Sequence, residues 1–232
     1  MMRLYHQELQ SQIVLSEDFP AVVTVESPNL FYRLISNLWC QTQNQPTNSE
    51  FTLDLNYKAL NISKELDLVL NPLLLDFKQR KILNKIFLEF DRLAAEPENI
   101  EETAKLHTVL EKYFSRISIN YPVPLKWSDN ILMSNIAKAL ELAIDVDELD
   151  LVQQLLTYMQ LLTSLRVTSI FSFVHLKSFL NDRQLSDLYH ESILKKYTLL
   201  LWENHESPHV LPIEKRLTID DDLCVITNDF EV

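Results

Sequence analysis

The stretch AVVTVESPNLFYRLISNLW, Ala21 to Trp39, decides the fold class. Its first five residues are small or β-branched and read as a strand, whereas Leu30, Phe31, Leu34, Ile35 and Leu38 recur at helical spacing. Only Glu26-Ser27-Pro28-Asn29 joins the two patterns. Ser27 suits a helix N-cap, and Pro28 suits the first helical position, where a missing N–H costs nothing. A strand running straight into a helix opens an α/β sheet. Nucleotide-binding folds place their phosphate cradle at this junction, but the glycines and lysine of such a cradle are absent here.

Working outward, Ile13–Leu15 reads as a short strand before this unit, and FTLDLN (Phe51–Asn56) as a strand after it. DLVLNPL, from Asp67, reads as a strand or a turn. From about Leu73 to Leu165 the pattern is helical. Leu73–Ala95 carries Ile82, Leu83, Ile86, Phe87 and Phe90 on one face, and Thr103–Ser118 carries Leu106, Val109, Leu110, Tyr113, Phe114 and Ile117. Pro122 and Pro124 force an extended break. Helices are then expected over Asp129–Ala143 and, capped by Asp147, over Asp147–Leu165. Strand character returns in Ser169–Val174, Tyr197–Trp202 and Leu223–Asn228, with a helix over Asn181–Lys195. The expected architecture is an α/β head from residues 1–72 and 166–232, with an α-helical domain, 73–165, inserted into it.

Composition narrows the function classes. The 232 residues include no glycine, which excludes the P-loop, the dinucleotide fingerprint, the nucleophile elbow and the kinase loop. Fifteen asparagines, with aspartate and proline, must make the turns instead. Thirty-three acidic residues against 21 basic ones give a net charge of −12, so polyanion binding needs a local basic surface. Cys40 and Cys224 are far apart and suit a reduced cytosolic chain without disulfide or zinc. No segment approaches the roughly 18–20 apolar residues of a membrane span, and the start has no apolar signal-peptide core. A soluble, cytoplasmic protein is expected.

The helix DFKQRKILNKIFLEFDRL supplies the strongest binding signal. Lys78, Lys81, Lys85 and Arg92 are spaced three, four and seven apart, which at about 100° per residue makes one narrow stripe. Such a stripe suits phosphates along a duplex, and equally suits an ordinary solvated face with Glu89 and Asp91. Glu141, Asp145, Asp147, Glu148 and Asp150, and Asp220 to Asp222, lack the spacing of a calcium loop and read as caps and negative surface. His205 and His209 are separated by Pro208, which disfavours a helical metal pair. No catalytic arrangement stands out.

Taken in order, the strand-turn-helix opening, LVLNPLLLDFKQRKILNKIFLEF, the proline break leading to DNILMSNIAKALEL, SIFSFVHLKSFLNDRQLSDLY and the closing LPIEKRLTIDDDLCVITNDF resemble a known family. It is the Csn accessory protein of type II-A CRISPR systems, the ring-forming spacer-acquisition factor. The resemblance implies a head related to P-loop ATPases but stripped of nucleotide chemistry, with a helical leg inserted. VESPNL would then be the remnant of a phosphate turn. It further implies a homotetrameric ring whose basic hole binds double-stranded DNA at free ends without sequence specificity or cleavage. The implied partners are the adaptation integrase proteins and the effector nuclease. Charge makes Lys78, Arg80, Lys81, Lys85 and Arg92 the first candidates for the wall of the hole, followed by Lys105, Lys112 and Arg116. The family also implies calcium near the base of the leg. The comparable stretch here, Tyr121–Asn130, offers only Asp129, a poor calcium site on its own and equally suited to capping a helix. The rival readings are a protein scaffold with little DNA contact and a divergent metal-dependent nuclease or phosphohydrolase.

Overall fold

The computed structural model describes residues 1–128, 131–207 and 210–230. The chain divides into two compact units, Met1–Asp76 with Val146–Val232, and Phe77–Asp145. The first is built on two sheets. A small antiparallel sheet, in the order β2-β1-β4-β5, comprises β1 (Met2–Tyr5), β2 (Gln12–Leu15), β4 (Thr52–Leu55) and β5 (Lys58–Leu60). The larger sheet has the order β10-β9-β3-β8-β7-β6, formed by β3 (Ala21–Val25), β6 (Leu66–Val69), β7 (Ile170–Val174), β8 (Thr198–Glu203), β9 (Lys215–Ile219) and β10 (Val225–Asn228). Every neighbouring pair in it is parallel except β9 with β10. Buried parallel strands call for continuous apolar runs, and β3, β7 and β8 are buried at every position.

One face of this sheet, carrying Ala21, Val23, Ile170, Leu200 and Trp202, shares a core with Leu4, Ile13 and Leu53 of the small sheet. Leu30, Leu34 and Leu38 of α1 (Pro28–Thr42) join that core. Trp202 closes it, donating from Nε1 to Ser172 Oγ at 2.9 Å and meeting Phe51 edge-on. Residues of alternate parity face the other way, toward α6 (Leu151–Ser164) and α7 (Asp182–Leu194). On that side the Tyr158 hydroxyl of α6 donates to Asp67 Oδ2 of β6 at 2.8 Å. Leu155, Tyr158, Met159 and Leu162 are all buried, so α6, expected in the inserted block, belongs to the sheet unit.

The second unit contains α3 (Arg80–Ala94), α4 (Ile100–Ser118) and α5 (Met133–Ala139), with a four-residue helix, α2 (Ile62–Glu65), lying before it in the first unit. Several element boundaries depart from expectation for local reasons. The helix expected from Leu73 begins at Arg80, because Asn71 folds Pro72–Leu74 into a turn in which its side chain accepts from the Leu73 N–H at 3.0 Å. Ser27 flanks α1 but makes no capping bond. The cap of α6 is Asp150, three residues beyond Asp147, in a reciprocal capping box with Gln153. Asp129 and Asn130, the expected start of α5, lie outside the described residues.

The missing glycines shape the helix ends. Asn44, Glu141, Arg166 and Lys196 each follow a helix in the left-handed region, with φ of 53°, 53°, 51° and 59°. Beyond each, the chain closes a double C-terminal turn. After α7, Tyr197 N–H reaches Ser192 C=O and Lys196 N–H reaches Ile193 C=O. These are positions where glycine normally sits, and here residues with a Cβ occupy them at a steric cost.

Candidate functional site

The connection from β3 to α1 is only Glu26-Ser27. Two residues cannot wrap a phosphate as a P-loop does, and Pro28 at the first helical position removes one of the amide donors such a site uses. The neighbouring strand ends add negative and aromatic groups. Glu203, the last residue of β8, is buried, with Oε1 accepting from the Lys177 backbone N–H at 3.0 Å and Oε2 3.9 Å from His175 Nδ1. Burial, more than the opposing pull of Lys177, pushes the Glu203 carboxyl up to about 7. His175 stacks on Phe31 of α1, and its desolvation lowers its pKa. Deeper still, Lys177 Nζ and the Tyr189 hydroxyl both donate to Glu214, at 2.8 and 3.0 Å. The Glu214 side chain is fully buried, and desolvation raises the Tyr189 hydroxyl well above its usual value. Of these groups Glu203 lies beside the junction, opposite Thr24, and puts acid where a phosphate would need base.

The basic candidates occupy the other unit. Lys78 falls in a turn before α3, so it is not part of the helical stripe. Lys81, Lys85 and Arg92 do lie on α3 within about 40° of one another. Arg80 and Lys81 are exposed and Lys85 is half-buried. Arg92 is engaged by Glu89 at 2.5 Å and by Glu96, which hold its guanidinium firmly protonated. On α4, Lys105, Lys112 and Arg116 form a second narrow stripe and are all exposed. Lys105 pairs with Glu101 at 2.6 Å, and the Arg116 guanidinium sits 5.6 Å from the Tyr113 ring centre.

The charge balance of the two units is uneven. Residues 77–145 hold ten Lys and Arg and ten Asp and Glu, so the whole net charge of −12 resides in the sheet unit. Counting acids along the chain could have shown this, had the boundaries been known.

α4 has no buried residue, although its sequence is amphipathic. Val109, Tyr113 and Phe114 are at least half exposed, and Leu106 and Ile117 only slightly less. Asp91 accepts from the Ser134 N–H at 2.8 Å, at the start of α5. Asp129, the one carboxylate proposed for calcium, lies outside the described residues. Among the described residues no group of three or more His, Cys, Asp or Glu side chains is placed to hold a metal, and no helix is long and apolar enough to cross a membrane.

Among curated protein sequences none matches this chain. Among solved structures, Stu0660 of Streptococcus thermophilus resembles it with a TM-score of 0.58 at 12% identity, covering 97% of this chain and 76% of that one. That level of identity speaks to a shared fold. A putative ABC transporter ATP-binding protein from Pyrococcus furiosus matches at a TM-score of 0.36 and 11% identity, covering 89% and 88% of the two chains. The model of the CRISPR-associated protein family Cas_Csn2 matches residues 43–223. That span runs from the end of α1 to the hairpin before β10, taking in both units. The chain therefore belongs to the Cas_Csn2 family of CRISPR-associated proteins, the type II-A accessory family that the order of its segments resembles.

Proposed function

We propose that the protein is a non-catalytic, sequence-independent binder of double-stranded DNA that works as a homotetrameric ring and supports spacer acquisition. The observation that carries this reading is the separation of charge. The acidic surplus lies wholly in the sheet unit, while the neutral helical unit gathers its cations into stripes on α3 and α4. A ring that turned these stripes inward and its acidic units outward would attract a duplex in its hole and repel nucleic acid elsewhere. Arg80 and Lys81 on α3 and Lys112 on α4, all exposed, are the foremost contacts. The sheet unit would be a P-loop-type scaffold whose phosphate turn has shrunk to Glu26-Ser27. Neither nucleotide nor calcium enters the reading.

Self-assembly has its own support. The exposed stripe Leu106, Val109 and Tyr113 is bracketed by Glu102 on one side and Arg116 on the other, at heptad-like spacing. Two copies of α4 running antiparallel about Val109 would cover the apolar residues and set Glu102 of each against Arg116 of the other, a self-complementary two-fold contact.

A gel shift with linear and covalently closed circular duplexes of one sequence, at two salt concentrations, tests the reading. Expected is linear-selective binding that weakens with salt and is lost in Lys81→Glu/Lys112→Glu while light scattering still reports a tetramer. Equal binding to both DNA forms would rule out threading. A tetramer that binds neither would favour the scaffold reading.

A further inference from the structure

The two outer strands of the large sheet are treated differently. β6 is buried at three of its four positions and covered by α1, α2 and α6. β10, at the other edge, has β9 as its ladder partner and nothing else among the described residues. In the small sheet the outer strand β5 is three residues long and begins with exposed Lys58, the usual way to discourage pairing. β10 is also short, at four residues, and its register against β9 shifts between Val225 and Thr227, but no charged side chain lies along it. Leu223, Cys224, Val225, Ile226 and Thr227 carry no charge, and Ile226 is 54% exposed with Leu223 and Val225 close behind. The strand is nonetheless well held. Asp220 closes the hairpin before it by accepting from the Cys224 N–H at 2.7 Å, Asn228 donates to Ser11 Oγ at 2.8 Å, and Phe230 is buried in the core. A rigid, apolar, open edge is a template for one more strand.

We propose that β10 is a docking edge for an extended peptide of alternating apolar residues followed by basic ones, paired antiparallel. Charge chooses this occupant. Asp220, Asp221 and Asp222 lie at the amino end of β10 and Asp229 at its other end. A second copy paired antiparallel through the same edge would bring these acidic ends together, whereas a basic carboxyl-terminal flank on a peptide meets Asp221 and Asp222. Arg216, on the neighbouring strand β9, is already held by Glu206 and Asp229. This edge is independent of the basic stripes, so its occupancy stands apart from DNA binding.

The probe is fluorescein-labelled Thr-Val-Thr-Val-Thr-Val-Lys-Lys amide, followed by anisotropy with the full chain. Saturable binding is expected, weakened at least about tenfold by Ile226→Lys, whose exposed position leaves the melting temperature unchanged. Replacing the two lysines of the probe with glutamates should abolish binding, and Asp221→Lys/Asp222→Lys should restore it. Methylating the backbone nitrogens of alternate residues provides the geometric readout, because a strand pairs through one edge only. One parity should destroy binding and the other spare it. No saturation up to about 1 mM would overturn the proposal, as would equal effects of the two methylated probes. A drop in molecular mass for Ile226→Lys by light scattering would overturn it in favour of a second copy.

Discussion

Glu203 ends β8 with its carboxyl out of water, and its pKa of about 7 makes it a reporter of the junction. The folded chain keeps this proton up to about pH 7, whereas the unfolded chain releases it near the ordinary glutamate value of 4.5. The resulting stability is fully present below that lower value and is lost as pH rises through 7. Burial lowers the His175 pKa, so its contribution runs the opposite way with pH, but parent and variant share it and it cancels from their difference. Glu203→Gln retains an acceptor for the Lys177 N–H and removes the titration. Urea unfolding from pH 4.5 to 8 should show the variant gaining on the parent by on the order of 3 kcal/mol. Parallel profiles would disprove the shift. Lys177→Met strands the fully buried Glu214 carboxylate and should cost about 3–5 kcal/mol, much of it recovered in Lys177→Met/Glu214→Gln, as a double-mutant cycle would measure. At the helix ends, Lys196→Gly relieves a left-handed residue of its Cβ and should raise stability by about 0.5–1 kcal/mol. A loss there would mean the Lys196 conformation carries little strain.

Among the elements, the caps differ in what they contribute. Asn181 accepts from the Gln184 N–H at 3.0 Å while Gln184 reaches back to Asn181, so Asn181→Ala should cost about 1 kcal/mol in thermal unfolding. Ser27 makes no such bond, and Ser27→Ala should stay within about 0.5 kcal/mol. The contrast explains what the sequence could and could not reveal. A capping residue can be recognised by type, but whether its side chain turns toward the helix depends on the chain around it. β3, β7, β8, α1, α4 and α7 were legible because long apolar runs or clear periodicity persist through them. β9 escaped notice because it opens with Lys215 and Arg216, and only the fold provides the Phe19 ring under Lys215 and the acids around Arg216. β5, at three residues, was too short for periodicity to register. The basic stripes were legible as spacing, but not the engagement of Arg92 or the displacement of Lys78 from the helix.

For the molecule as a whole, the proposed ring predicts a particular salt dependence. Each lysine that touches a phosphate adds about one to the slope of log affinity against log salt, for every copy in the assembly. Lys81→Ala should therefore flatten the slope several-fold more in a tetramer than one contact would, and an unchanged slope would remove Lys81 from the interface. The order of the large sheet carries a separate consequence, in time. Residues 21–25 sit at its middle, yet their partners on either side are residues 200–203 and 215–219. Bringing such distant segments together is slow, because loop closure must precede any contact that rewards it. The helical unit, one continuous stretch from Phe77 to Asp145, faces no such delay. On a ribosome β3 emerges early, with five apolar or β-branched residues and no neighbour to pair with until β8 has been made. The middle of the sheet thus closes only late in synthesis, and the interval before it closes is when the chain is most exposed to aggregation.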